Sequence, residues 1–366
     1  MIRRVVLAYS GGLGSTVALG LLAPQADVLA VVVDFGTGDV DLGAIRRRAF
    51  ECGAADVVEV EARDELADGY CLPALQANAV VLGCYPLVAS LARPVLAGHL
   101  VAVAENHAAS AVAHGGDGVL TTTVADLAPG LDVLEPVTDR DDAVRYARER
   151  CLPVGGPQVS TKRTLWGRDV DAPVLVDLSR APGAVFSYVE DAAVNFDAPD
   201  EVVVTFERGV PVALDGETVS VAEAVQRLGH RAGGYGFGRF DLDLAGGGRE
   251  SYEAPGAAAL LTAHRELEAV TLDRDLARFK RGIDRRWTEL VQDGSWFSPL
   301  REPLDAFVRQ AQERVSGEVR LALHTGTVAG ERGVPGRRAR PAGRRYRPVT
   351  GQTPLGSAQH PTPQAS

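Results

Sequence analysis

Paired cysteines, a surplus of basic charge and any apolar run long enough to cross a bilayer are all missing from this sequence. The four cysteines, Cys52, Cys71, Cys84 and Cys151, form no C-x-x-C pair and have no His-x-x-x-His near them. They read as reduced, mostly buried thiols rather than a disulfide frame or a metal site. With 38 Lys and Arg against 48 Asp and Glu, the net charge is −10. So acidic a chain offers no broad basic face to nucleic acid, although a helix N-terminus or a few arginines still suffice for a small anion. The longest apolar stretches are broken by Gly, Pro or charge, which excludes a membrane span. Met1-Ile2-Arg3-Arg4-Val5 enters an apolar segment without the pattern of an export signal, so the expected location is the cytoplasm.

What is present is an alternation. Val5–Ala8, Asp27–Asp34, Asp56–Glu61, Ser110–His114 and Leu131–Glu135 read as strands, separated by helical patterns at Ser15–Leu22, Leu42–Cys52 and Leu87–Glu105. Strands alternating with helices predict crossover units and a parallel sheet, hence an α/β unit. Beyond Pro153–Pro157 the pattern changes. Glu201–Phe206 and Gly209–Leu214 read as a hairpin, followed by an Asp215-Gly216 turn and a glycine-dense stretch from Gly233 to Gly248. Helices return at Ala257–Leu267, Leu276–Asp293 and Pro303–Ser316, and Gly317–His324 reads as a closing strand. From about Thr325 the chain is rich in Gly, Pro, Arg and Ser and is expected to be a disordered basic tail.

The most informative segment is the first turn. A strand ends at Ala8-Tyr9 and runs through Ser10-Gly11-Gly12-Leu13-Gly14 into a helix carrying Ser15 and Thr16. Glycines let the backbone approach an anion closely, and the unpaired N–H groups of a helix's first turn point at it with the helix dipole behind them. The string is neither the Walker P-loop, which needs Gly-Lys-Ser/Thr, nor the dinucleotide G-x-G-x-x-G.

Ala8-Tyr9-Ser10-Gly11-Gly12-Leu13 resembles the pyrophosphatase loop of the N-type ATP pyrophosphatases and, within them, that of the argininosuccinate synthase family. The resemblance continues in order through Val31–Gly36, Pro73–Ala79, Tyr85-Pro86-Leu87, Leu91–Pro94, Ala113-His114-Gly115, Leu165–Arg168, Gly209–Leu214, Tyr252–Gly256, Leu260–Glu268 and Trp296–Leu300. It implies an adenine nucleotide alpha hydrolase-like parallel-sheet domain over residues 1–157. A second α+β domain for catalysis and multimerisation would cover 158–324, with the tail at 325–366. In such a family the ureido oxygen of citrulline attacks the α-phosphorus of ATP and pyrophosphate leaves. The aspartate amine then displaces AMP. The resemblance therefore implies ATP and Mg²⁺, citrulline and aspartate or analogous small molecules, and a homo-oligomer, in the family a tetramer. It assigns Ala8, Tyr9, Ser10, Gly11, Gly12, Leu13, Gly14, Ser15, Thr16 and Gly115 to ATP, and Tyr85, Ser90, Ser160 and Tyr252 to citrulline. No catalytic side chain and no protein metal ligand follow from it.

The chain also departs from the pattern. Gly14 stands where the family carries Asp. After His114-Gly115 the segment Gly116–Val124 is about six residues shorter by alignment, and Asp117 takes the place of a threonine that binds the aspartate carboxylate. Asp169 stands for the second serine of the citrulline set. The Glu expected before Tyr252 is absent from the shortened Leu242–Gly248 stretch, and the basic tail replaces a C-terminal helix. These changes cluster at the substrate end. They leave two readings: an AMP-forming carbon–nitrogen ligase with an altered substrate site, and a nucleotide-binding pseudoenzyme or oligomer partner that keeps the fold. A tRNA-modifying ATP enzyme on the same loop is disfavoured by the acidic charge and the missing catalytic cysteine pair.

Overall fold

A computed structural model describes residues 3–38, 40–81, 83, 85–154, 160–171, 188–189, 199–243, 249–324 and 327–333. The first part contains β1 (Arg3–Ala8), α1 (Leu13–Leu22), β2 (Ala26–Asp34), α2 (Leu42–Glu51) and β3 (Asp56–Glu61). There follow α3 (Arg63–Leu66), a π-helical turn at Ala67–Cys71, α4 (Leu72–Gln76), β4 (Val80–Val81), β5 (Tyr85–Pro86) and α5 (Ala89–Asn106). Then come β6 (Ala111–Ala113), α6 (Gly118–Leu127), β7 (Asp132–Leu134) and α7 (Arg140–Glu149). The central sheet has the order β3-β2-β1-β6-β7 with every pair parallel, as the alternation predicts. Val28–Val32 in β2 are all buried, consistent with a strand covered on both faces.

The second part contains β8 (Ser160–Thr164), β9 (Gly167–Asp171), β10 (Asp200–Glu207), β11 (Val210–Leu214), β12 (Glu217–Thr218) and α8 (Val221–Gly234). It continues through β13 (Arg239–Asp243), β14 (Arg249–Glu253), α9 (Pro255–Thr271), α10 (Arg274–Gln292), α11 (Arg301–Gln312), β15 (Gly317–His324) and β16 (Thr327–Gly333). Two further sheets arise, β12-β11-β10-β15-β16 and β13-β14-β9-β8, whose strand pairs are antiparallel.

Two expectations, for the tail and for the loop after Gly115, need correction. The tail was expected to lose structure from Thr325, yet Thr327–Gly333 pairs along β15. A ladder is made by backbone groups and does not require the apolar alternation that this segment lacks. Residues 334–366, with the Arg337–Arg347 cluster, lie outside the described residues. Within the glycine-dense Gly233–Gly248 stretch, α8 runs to Gly234, closing a helix begun by a Ser220/Glu223 capping box, and β13 covers Arg239–Asp243. Gly116–Val124 is largely helix rather than a loop. Of the described cysteines, Cys52 and Cys71 are buried and Cys151 is exposed, in keeping with mostly buried thiols.

The cores show how the site is positioned. One apolar cluster runs from Ala62 to Val95 and continues with residues 165–328, so α3, α4, β5 and the start of α5 pack with the later half of the chain. A buried polar network anchors α4 to the later helices. Lys280 Nζ donates to the Gln76 carbonyl at 2.7 Å and pairs with Asp284 at 2.9 Å and Glu268 at 3.0 Å. Asn78, which takes a left-handed φ of 45°, donates to Glu268 at 2.6 Å. The anchor holds the end of α4 against the later helices, and Tyr85 lies in the apolar cluster that joins them.

Candidate functional site

In the order β3-β2-β1-β6-β7 the strands after β1 proceed outward in one direction, while β6 and β7 lie on its other side. The reversal falls between β1 and β6, the position at which open parallel sheets bind ligands beyond their strand ends. The two loops leaving that crevice are Tyr9–Gly12 and His114–Asp117, and they touch. A Cβ on Gly14 would lie 2.2 Å from the Gly115 carbonyl oxygen, and one on Gly115 would lie 2.3 Å from the Gly14 carbonyl carbon. Both positions therefore require glycine. The departure at residue 14 is matched to the loop that rests on it.

The turn itself is organised to leave donors open. Gly11 takes φ +71° and its carbonyl accepts from Arg48 Nη1 at 2.7 Å, which fixes the loop from outside. Gly12 caps α1 with an extended backbone and no side-chain hydrogen bond, so no capping side chain occupies the N–H groups of the first turn. Ser15 Oγ donates to the Gly12 carbonyl at 3.2 Å and accepts from the Ser10 amide at 3.3 Å. Tyr9 and Thr16 are buried, with their hydroxyls 3.3 Å apart, and burial pushes the Tyr9 phenol up. Of the nine turn residues, then, Tyr9, Ser15 and Thr16 hold the turn from beneath. Ser10 and Gly12 are exposed, Ala8, Leu13 and Gly14 are half-buried, and Gly11 is buried.

The second loop is tied by His114. Its Nδ1 accepts from the amides of Gly116 at 3.3 Å and Asp117 at 3.1 Å, so the proton sits on Nε2, 2.7 Å from Thr121 Oγ1. Burial holds this imidazole below its ordinary pKa, which keeps the neutral tautomer. Asp117 then caps α6 by accepting from Leu120 N. Thr123 is buried and donates to the carbonyls of Val119 and Gly294, at 2.9 and 3.0 Å. The hydroxyls of Thr121 and Thr123 are thus used within the chain, one on His114 and the other on backbone carbonyls.

The substrate-end residues gather where α5 begins. Residues opposite each other in an antiparallel ladder share a face, and Lys162, Asp169, Tyr252 and Phe240 are in register across β8, β9, β14 and β13. Asp169 reaches from this row to α5, where Oδ1 accepts from the Tyr85 hydroxyl at 2.6 Å and Oδ2 from the Ala89 amide at 3.3 Å. The Tyr85 and Tyr252 rings lie with centroids 3.7 Å apart, both nearly buried. Burial raises the Asp169 carboxyl to about 6, against the opposing pull of the Tyr85 hydrogen bond and of Lys162 and Arg93. Burial also drives the Tyr85 phenol far up, helped by the Asp169 charge. Ser90 lies one turn before Arg93, whose Nη1 donates to Ser90 Oγ at 3.3 Å while Nε donates to both Asp117 oxygens at 3.1 Å. Lys162 adds a contact to Asp117 at 3.4 Å. Burial works to raise the Asp117 carboxyl, but Lys162 and Arg93 outweigh it and hold it below the usual range.

Tyr85, Ser90 and Tyr252 are therefore brought together. Ser160 lies on β8 two residues before Lys162, but its side chain is outside the described residues. Asp117 was singled out from the sequence as a departure at the substrate end, but its partners Arg93, within the string Leu91–Pro94, and Lys162 were not among the residues expected to form the site, and only the fold joins the three. Among the described residues no group of three His, Cys, Asp or Glu is placed to hold a metal ion, and Gly14 offers no oxygen donor from its side chain. A Mg²⁺ ion here fits only as one carried in by phosphate oxygens and water. No described helix is long and apolar enough to cross a membrane.

Partial likenesses occur among solved structures. The U34-tRNA thiolase NcsA from Methanococcus maripaludis is 15% identical, over 50% of this chain and 68% of that one, with a TM-score of 0.32. NAD+ synthetase from Burkholderia pseudomallei is 20% identical over 43% of this chain and 61% of that one, with a TM-score of 0.29. NMN synthetase from Francisella tularensis is 14% identical over 41% and 62%, with a TM-score of 0.28. This chain spans less than two thirds of the length of the two synthetases. The family comparison extends much further. Residues 4–153 match the Arginosuccinate synthase N-terminal HUP domain and residues 159–341 the Arginosuccinate synthase C-terminal domain. With both domains matched in order along one chain, the protein belongs to the argininosuccinate synthase family.

Proposed function

We propose that this chain is an ATP-using, AMP-forming carbon–nitrogen ligase whose substrate end has been rebuilt. The observation that carries the reading is the uncapped start of α1 beside the His114–Asp117 loop, at the crevice where the sheet order reverses. Ala8–Thr16 and Gly115 form the ATP side, with phosphate held by the amides of Gly12, Leu13 and Gly14 and by Ser10. A divalent ion, carried on the phosphates, would neutralise the leaving pyrophosphate. Tyr85, Ser90, Ser160 and Tyr252 form the side for citrulline or a related ureido or carboxyl compound, attacked after activation by the amine of aspartate or of another donor. The chain's own part in such chemistry is positioning. Arg48 and Ser15 fix the turn, and β9 and β14 hold the second substrate against α5.

The altered positions argue against ordinary argininosuccinate synthesis. Asp117 and Asp169 put two carboxylates where amino-acid carboxylates would have to approach. Pyrophosphate release from ATP, measured with citrulline and with amine donors including aspartate, tests the ligase reading. Release that depends on both organic substrates supports it, and absence of release with every pair overturns it. The second reading is a nucleotide-binding protein without turnover. It is favoured by the way Arg93, Lys162, Tyr85 and the α5 N-terminus are already satisfied by the chain's own carboxylates. ATP binding without pyrophosphate release supports that alternative. A homo-oligomer and a cytoplasmic location remain part of the proposal.

A further inference from the structure

The substrate end contains an anion subsite whose occupant belongs to the protein. A helix N-terminus and a tyrosine hydroxyl converge on one point and donate to the two oxygens of Asp169. Donors arranged in this way suit the carboxylate of an amino acid, and here that place is taken. The nearby cations are also committed: Arg93 and Lys162 both pair with Asp117, at 3.1 and 3.4 Å. Arg168 is adjacent to Asp169 in β9, so it points to the opposite face, where it pairs with the buried Glu253. Asp169 itself has no ion pair among the described residues. It is half-buried and stands in register beside Tyr252, whose ring packs on Tyr85. Among the described residues the cluster holds two cations, Arg93 and Lys162, and two carboxylates, Asp117 and Asp169. Both cations contact Asp117, so Asp169 is the carboxylate without a cation in contact, beside two aromatic rings, and a second carboxylate would meet no unpaired cation there. Ammonium groups are attracted to both features.

We propose that the substrate taken at this end carries an ammonium group and no carboxylate, with Asp169 as the residue that sets this preference. The inference rests on the ligand-site reading given above and names its substrate class. A free amino acid such as citrulline is a poor ligand because its carboxylate meets Asp169 and Asp117 without a partner. The same compound without its carboxylate, 4-ureidobutylamine, keeps the ureido group and chain length and presents only the ammonium.

The test is equilibrium binding of 4-ureidobutylamine and of citrulline to the full chain, each with and without a non-hydrolysable ATP analogue. It is repeated on Asp169→Asn and Asp169→Ser. Wild-type protein is expected to bind the amine about tenfold or more tighter than citrulline. Asp169→Asn, which keeps an oxygen for the Ala89 amide, is expected to lose about that factor for the amine while citrulline binding holds or improves. Asp169→Ser, the smaller change, is expected to act in the same direction, and melting curves show that each variant is folded. Citrulline binding as tightly as the amine, an amine affinity indifferent to residue 169, or no binding of either compound at millimolar concentration overturns the inference. The nucleotide titration reports separately. ATP analogue binding with the wrong amine preference removes the substrate class and leaves the ATP reading. Amine preference without nucleotide binding does the reverse.

Discussion

The turn after β1 and the row of side chains on β8, β9 and β14 face one crevice, but they manage charge in opposite ways. At the turn, the amides of Leu13 and Gly14 have no side-chain partner among the described residues, and the side chains that matter, Tyr9, Ser15 and Thr16, work from below. At the row, donors that could receive a ligand's carboxylate are already used by Asp169 and Asp117. One end stays ready for an anion and the other has filled its own anion places. The difference is between a half built of backbone and a half built of side chains. Backbone geometry is held by close packing, whereas a side chain is replaced one codon at a time.

The largest expected effect follows from that packing. Gly14→Asp introduces the residue that the family resemblance leads one to expect at this position, yet its Cβ would stand 2.2 Å from the Gly115 carbonyl oxygen. The obstacle is backbone on both sides and cannot swing away. We expect a loss of about 3 kcal/mol or more of stability, above the usual cost of overpacking, together with loss of ATP binding. Gly12→Ala is the control, since its Cβ meets only Ser10 Oγ at 3.4 Å. Denaturant titration of the two variants checks the contrast. A stable Gly14→Asp protein that binds ATP would show that the two loops separate easily.

The two carboxylates at the row sharpen the comparison next, because their protonation pulls stability in opposite directions. Asp169 has its folded carboxyl raised to about 6 by burial, above the unfolded value. The folded state therefore binds the proton more tightly, and stability falls as pH rises from about 4 through about 6. Asp169→Asn removes this penalty. It should raise stability at pH 7 by up to about 2 kcal/mol and flatten the slope between about pH 4 and 6. Asp117 is the reverse. Lys162 and Arg93 depress its carboxyl, so its contribution is present above the unfolded carboxylate range and is lost as acid takes pH down through the folded value. Asp117→Asn should lower stability at pH 7 by about 1 kcal/mol, from the weakened pair and cap. Urea titrations at neutral and acid pH on both variants decide the signs. Shifts of the same sign at pH 7 would contradict the opposed roles.

The strand, turn and helix of the proposed phosphate side were legible in the sequence, and the reason is local. A β-branched run ending in Ser10-Gly11-Gly12 followed by apolar residues at helical spacing specifies strand, turn and helix from neighbours alone. The parallel sheet followed from the same alternation. The α6 helix was missed because Gly118 and the β-branched Thr121–Thr123 are poor helix formers. Its signal was Asp117, which caps the helix, and the neighbouring His114, which ties the loop. β16 was missed because its pairing is backbone and its composition is that of a loop. The Arg93–Asp117–Lys162 triad and the Tyr85–Asp169 contact join positions 24, 45 and 84 residues apart. No local pattern encodes such meetings. Nor did any local pattern indicate that residues 62–95 pack into the core of the later half.

The smallest expected effect asks how far the turn depends on backbone alone. Ser10 is exposed, and its hydroxyl sits 3.3 Å from Ser15 Oγ and 3.4 Å from the Gly12 amide, a loose arrangement that a phosphate oxygen would readily replace. If the amides of Gly12–Gly14 and the α1 dipole carry the phosphate, Ser10→Ala removes one neutral hydrogen bond among several. ATP affinity should then fall by about three- to tenfold, the worth of about 1 kcal/mol, with little change in melting temperature. Ser15→Ala is the sharper partner. Ser15 lies under the turn and joins Ser10 N to the Gly12 carbonyl, so its loss should lower stability and ATP affinity together. Should Ser10→Ala cost far more than Ser15→Ala in affinity, the phosphate is held by side-chain hydroxyls. The turn would then be built like the row across the crevice, and the contrast between the two ends would fail.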